Sequence, residues 1–246
     1  MKLSLLNSKK NAKFFYFIFP TFYILFGLIY AIPFSTLNII SFFVLYLFVL
    51  LNQLLETYFR NYFILKMKFH KKNIGILEFF IGLSLLYFIL MHSWVSGLLL
   101  VCYTLMVQGK YLFIHYGLDF LSISLTTLFK SLLLNIFGFY IHTGFISNTI
   151  FIYLLPLIIP IFSYEYYTWN KVIPNNVKYL IAILSYLLTI TLTWSILSWW
   201  SLLLLLSAIL LPLFLLSNKK QSILFFSTTF TLNYFILLLV FILVYS

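Results

Sequence analysis

Acidic side chains are almost missing from this sequence. Its 246 residues hold four Asp and Glu against fifteen Lys and Arg, a formal charge of +11. Cysteine is rarer still: Cys102 stands alone inside an apolar run, which excludes a disulfide framework and a Cys-type metal site and leaves it a small hydrophobe. No Walker motif, Gly-rich phosphate loop, nucleophile elbow or His-x-x-x-His pair occurs. His70, His92, His115 and His142 fall at the edges of apolar runs without metal-ligand spacing. Charged residues make up only 8% of the chain, too few to coat a soluble domain of this length.

What is present is hydrocarbon. Hydrophobic residues reach 64% and aromatic residues 22%, and the apolar runs recur end to end at roughly the 20 residues a helix needs to cross a bilayer. Helices satisfy their own backbone in lipid, and the runs are continuously apolar, as in 201–216, without the alternation of a β-barrel strand. The expected fold is an all-α polytopic membrane protein, a single transmembrane domain over 1–246 seated in the cell membrane. Lys2, Lys9, Lys10 and Lys13 precede the first apolar run as in a signal peptide. The run from Phe14 to Ile32 is too long for a signal core and shows no clear small-x-small cleavage site, so it reads as a retained helix.

Pro, Gly and charge divide the chain into nine candidate spans, near 14–32, 36–55, 74–92, 94–108, 119–141, 149–168, 178–196, 198–216 and 223–245. The breaks near His92 and Ser198 are short, and fusing both would leave seven spans. The basic residues favour nine. With the amino terminus cytoplasmic, the inner segments 1–13, 56–73, 109–118, 169–177 and 217–222 carry the lysines and the arginine, Lys178 sits at an edge, and the outer connections carry none. Only Lys130 falls within a span. Such segregation fits nine crossings, or another count with the same parity at each basic loop. It also accounts for the positive charge without nucleic acid as a partner.

Scarcity makes the acids informative: Glu56, Glu78, Asp119 and Glu165. Glu56 closes the second span in NQLLETYFR, and Glu165 closes the sixth in SYEYYTWN. The nine-span plan puts both at the inner face, near Arg60, Lys66, Lys68, Lys110, Lys171 and several tyrosines. Two carboxylates among cations suit a Mg²⁺–diphosphate site, because Mg²⁺ is commonly held by one or two carboxylates plus phosphate oxygens. Local pairing of Glu56 with Arg60 and of Glu165 with Lys171 is the plainer alternative. Lys130, Asn135 and Asn233 lie within spans, where polar groups usually face the bundle interior.

The plan of nine helices, amino terminus inside, with polar segments closing the second and sixth, resembles the UbiA superfamily of intramembrane prenyltransferases. That family's first motif, N-D-x-x-D-x-x-x-D, is met here by Asn52 and, conservatively, by Glu56, whereas Gln53 and Arg60 stand where acids are expected. Residues 116–144, YGLDFLSISLTTLFKSLLLNIFGFYIHTG, are similar to the family's stretch through helix 5, with Asp119 opening the helix and Tyr140 and Gly144 in its Tyr-x-x-x-Gly ending. Of the second acidic motif only Glu165 remains.

The resemblance implies a Mg²⁺-dependent transfer of an isoprenoid chain from its diphosphate to an aromatic, quinone-precursor-like acceptor. Asn52, Glu56 and Glu165 would be the catalytic and metal-binding groups, and Arg60, Lys68, Lys110, Lys171 and Tyr140 the substrate-binding ones. The eroded motifs equally admit a relative that binds prenyl diphosphate without catalysis. A different class, a non-catalytic exporter permease subunit or immunity-type membrane protein, stands as the alternative.

The charge asymmetry makes a direct prediction. In a Cys102→Ser background, a cysteine at Asn73 should react with an impermeant maleimide only after the membrane is opened, and one at Asn148 without opening. Labelling of the Asn73 site from outside in intact cells overturns the assignment.

Overall fold

In a computed structural model, residues 20–169 are described, apart from 22, 64, 65, 67, 69 and 70, together with the isolated positions 187, 191 and 194. The spans expected at 198–216 and 223–245, and most of 178–196, lie outside the described residues, as does Lys171. The helices are α1 (Leu25–Ala31), α2 (Ile39–Phe63), α3 (Lys71–Met91), α4 (Trp94–His115), α5 (Asp119–Thr143) and α6 (Asn148–Trp169). No strand occurs among the described residues. Helices α2 to α5 are each long and apolar enough to cross a membrane.

The chain divides into two compact units, Met1–Leu25 with Leu37–Ser122, and Phe26–Thr36 with Ile123–Ser246. In the first unit, α2, α3 and α4 pack on one another. The contacts give their directions. Ser41 at the start of α2 meets Tyr87 near the end of α3, and Asn73 at the start of α3 donates to Tyr58 late in α2, so this pair is antiparallel. Phe48 meets Tyr103, and Glu56 meets Lys110 and Tyr111, so α2 and α4 run parallel.

Lipid gives helices no hydrophobic reason to associate, so close approach and hydrogen bonds between helices take over. Helix α3 buries a single stripe, Ile74, Ile81, Ser84 and Phe88, and leaves Ile76, Phe79, Phe80, Leu83 and Leu86 exposed. Such an apolar outer face is what a helix in hydrocarbon requires. The turn from α3 to α4 is tightened by Ser93, whose Oγ accepts the Ser96 N–H at 3.2 Å and caps α4, while Ser96 Oγ donates to the Phe88 carbonyl at 3.1 Å. At the same end Ser41 Oγ lies 3.0 Å from Tyr87 Oη and 3.1 Å from His92 Nε2. Burial lowers the pKa of His92, so it stays neutral and joins helix ends without adding charge there.

In the second unit, α5 is interrupted by a π segment, Phe129–Leu133, against which α6 packs. Around it Thr127, Ser131 and Asn135, all buried, each donate a side-chain hydrogen bond to the carbonyl four residues back, at 2.8, 2.7 and 2.9 Å. Competition of this kind for backbone carbonyls loosens the regular helix, and a π turn is one resolution of it. Helix α5 opens on Asp119, whose charge suits the N-terminal dipole, and closes on Gly144 at φ 73°, whose N–H bonds the Tyr140 carbonyl at 2.8 Å. Antiparallel pairing of α5 and α6 follows from Lys130 meeting Glu165, with the two helices joined through only residues 144–147.

Helix α1 docks on α5 through Gly27, whose N–H points to Asn135 Oδ1 at 3.4 Å, and Tyr30 packs against Phe139 and Tyr153 while its hydroxyl meets Thr149 at 2.6 Å.

Four boundaries differ from the hydropathy reading by three residues or more. The second span, expected at 36–55, begins at Ile39 and continues as helix to Phe63, the fourth runs to His115 rather than 108, and the third begins at Lys71 rather than 74. Hydropathy marks where apolar residues stop. A helix continues as long as its backbone bonds are made, and the extensions LETYFRNYF and QGKYLFIH keep an aromatic contact between helices, Phe59 and Phe63 of α2 lying against Tyr111 of α4. Lys110 is therefore a helix residue and 4% exposed, not a loop residue.

A Cβ at Gly27 would collide with the Asn135 carbonyl oxygen and lie 2.7 Å from Phe139 N, both backbone atoms unable to move aside cheaply. Gly27→Ala should destabilise the protein by about 1–3 kcal/mol as overpacking. Gly82→Ala, whose Cβ would meet nothing within 4 Å, should leave it unchanged or slightly more stable. Thermal unfolding in detergent measures both, and equal midpoints would refute the close approach of α1 to α5.

Candidate functional site

The candidate residues distribute over both units. In the first, Asn52 and Glu56 lie one turn apart on α2, where i and i+4 share a face. Asn52 is fully buried; its Nδ2 donates to the Phe48 carbonyl at 3.0 Å, and its Oδ1 has no hydrogen-bond donor among the described residues. Glu56 Oε1 lies 2.5 Å from Lys110 Nζ, and Tyr111 Oη donates to the Glu56 carbonyl at 3.0 Å. Above this pair Phe63 stacks on Tyr111, with centroids 5.8 Å apart and planes within 6°. The result is an ion pair roofed by aromatic rings.

Among the described residues, the same end of this unit collects the exposed basic side chains. Arg60 on the last turn of α2, Lys66 and Lys68 in the connection, and Lys71 and Lys72 opening α3 are all exposed. The acid exposed at this end is Asp119, opening α5; Glu78 is also exposed, two turns into α3. At the opposite end, 36–43 and 85–97 contain no Lys, Arg, Asp or Glu.

In the second unit, Lys130 Nζ lies 2.6 Å from Glu165 Oε1, with side chains 4% and 2% exposed. Lys130 is eleven residues into α5, about 16 Å along its axis, deep within a membrane-length helix. Placing a lysine at such depth costs about 2.5–3.5 kcal/mol on insertion scales, and pairing it with a carboxylate offsets that cost. Tyr140, expected among the substrate-binding residues, is half-buried ten residues further on, about 15 Å along the helix from Lys130.

Each expected metal-binding carboxylate is thus met by a lysine, Glu56 by Lys110 and Glu165 by Lys130. Both partnerships are long-range in sequence; Lys171, the local candidate for Glu165, lies outside the described residues. Lys130 is the buried charge at Glu165 that motif reading passes over. Its signal is scarcity: a lone lysine inside a span, in a chain with four acids, has few possible partners. Local spacing cannot find it, because the pair is 35 residues apart.

Among the described residues no three His, Cys, Asp or Glu side chains gather as a metal site. The Mg²⁺ that the resemblance implies would need oxygens of Asn52, Glu56 and Glu165 free to approach it at about 2.0–2.1 Å. An ammonium on one oxygen of each carboxylate competes with that ion, so these residues fit it poorly; Asn52 Oδ1, without a donor among the described residues, favours it.

No family model, curated protein or solved structure matches the chain. Among the described residues the protein is all-helical, with four helices of membrane-crossing length and polar interiors organised by two Lys–Glu pairs.

Breaking one partner of the deep pair leaves a buried uncompensated charge, at a cost of about 3–5 kcal/mol. Lys130→Met and Glu165→Met should each lower the unfolding midpoint strongly, and the double variant Lys130→Met/Glu165→Met should recover most of the loss. Glu56→Gln should cost less, since the Glu56 side chain is 14% exposed and can be hydrated. Additive losses in the double variant, measured by a thermal double-mutant cycle, would show that the two residues do not stabilise each other.

Proposed function

We propose that the chain is a multi-pass cell-membrane protein, its basic end cytoplasmic, that binds an isoprenoid diphosphate at that end. The supporting observation is the charge layout of the first unit. Arg60, Lys66, Lys68, Lys71 and Lys72 are exposed at one end beside an aromatic cluster, and the described residues at the other end carry no formal charge. An amphiphile with a doubly charged head and an unsaturated apolar tail matches a cationic rim set over rings embedded in lipid-facing helices.

The resemblance to UbiA prenyltransferases points to the same ligand class, and nine spans with an inner amino terminus belong to this reading. Binding is the part of that resemblance the geometry supports best. Transfer of the chain to an aromatic acceptor through Mg²⁺ would require Glu56 and Glu165 to release their lysines. The other class, a permease subunit or immunity-type protein, has one observation in its favour: a carboxylate fully engaged by lysine serves a purely structural role equally well.

The test uses the full chain in phosphatidylcholine nanodiscs with farnesyl diphosphate, farnesol and inorganic pyrophosphate as probes. Farnesyl diphosphate should bind more tightly than either of the others. Each of Arg60→Gln and Lys68→Gln should weaken it about five-fold, the equivalent of about 1 kcal/mol per cation near a charged headgroup. Catalytic use of the site would instead appear as Mg²⁺-dependent consumption of farnesyl diphosphate with an aromatic acceptor, lost in Glu56→Gln and Glu165→Gln. Farnesyl diphosphate binding no better than farnesol would discard the diphosphate reading and favour the non-catalytic class.

A further inference from the structure

We infer that the ammonium groups of Lys110 and Lys130 are tethered counter-cations, holding at Glu56 and Glu165 the positions that a divalent ion would otherwise take. This deepens the proposed function, because an anion would then be held without a divalent ion. The cation assignment itself rests only on the two ion pairs.

Geometry carries the argument. Lys110 Nζ and Lys130 Nζ lie 2.5 and 2.6 Å from one carboxylate oxygen each, and both lysines are at least nine-tenths buried. A Mg²⁺ ion held by the same carboxylate at about 2.0–2.1 Å would lie within a few ångströms of the ammonium, so the two cations compete for it through repulsion. Helix arrangement fixes the choice. Lys110 comes from α4, packed parallel to α2, and Lys130 from the π segment against which α6 packs, so each cation is delivered by a neighbouring helix of the same unit.

Charge decides the rest. A carboxylate buried in a bilayer must be protonated, paired with a fixed cation or occupied by a mobile one. A covalently tethered ammonium satisfies this at every ionic composition, whereas a metal does so only above its dissociation constant. Removing the ammonium while leaving its space should therefore convert each carboxylate into a cation site.

The experiment titrates Mn²⁺ into the full chain in phosphatidylcholine nanodiscs, free Mn²⁺ being followed by electron paramagnetic resonance and no prenyl ligand being present. Its outcome is therefore independent of whether a diphosphate binds. The wild-type protein should show no saturable Mn²⁺ binding that Glu56→Gln or Glu165→Gln removes. Lys110→Ala and Lys130→Ala should each gain about one equivalent per chain, lost again when Glu56→Gln or Glu165→Gln is added to the respective variant. Folded lysine variants that take up no Mn²⁺ would overturn the inference, as would wild-type uptake abolished by either glutamine.

A second measurement covers variants that do not fold. The unfolding midpoint of the wild-type chain should be the same in EDTA and in excess Mg²⁺. A Mg²⁺-dependent rise that disappears in Glu56→Gln or Glu165→Gln would count against tethered cations.

Discussion

A charge buried among apolar helices must bring its counter-charge with it, and among the described residues that requirement is met twice by a lysine reaching a glutamate on another helix. The energetic asymmetry is large. An intact buried pair is worth little against a well-packed apolar substitute, whereas a broken one costs several kcal/mol. Pairs of this kind therefore select an arrangement more than they add stability. Lys110 meets Glu56 only if α4 lies parallel beside α2 in the observed register, and Lys130 meets Glu165 only if α6 folds back along α5. Apolar helices in lipid have many nearly equivalent packings, and a pair of charges removes most of them.

The remaining polar interior follows the same logic at lower energy. Ser84, Ser96, Thr104, Thr127, Ser131 and Asn135 each bond a backbone carbonyl, most of them four residues back on their own helix, so they are satisfied within an apolar interior. Small residues then bring helices within reach of each other: Gly27 lets α1 touch the α5 backbone, and Gly97 leaves room for Ile89 across the α3–α4 turn. Charge, hydroxyl and glycine thus divide the work among register, solvation and distance.

How much of this is legible in the sequence depends on the range over which each signal acts. Apolar length and Pro, Gly and charge punctuation locate α2 to α6 in order, because crossing a bilayer is a local demand on some twenty consecutive residues. The ends are less legible, since LETYFR and QGKYLF look like loop by hydropathy and are held helical by aromatic contacts across helices. Glu56 and Glu165 stand out as unusual from their scarcity alone. Their partners do not, because a Lys–Glu pair 54 or 35 residues apart leaves no spacing pattern. The π segment leaves no recognisable mark either; Thr127, Ser131 and Asn135 supply its stripe only once the helix is known.

That π segment also sets which residues share a side. In a regular α-helix, positions five apart point about 140° away from each other, so Lys130 and Asn135 would face different neighbours. Hydrogen bonding from i to i+5 widens the turn until residues five apart stand nearly above one another. Both side chains are buried, the lysine against Glu165 on α6 and the amide against Gly27 on α1. The widened turn acts as a phase shift written into one helix, letting a single rod present an ionic contact in one layer and a backbone docking site in the next without twisting either out of the protein interior.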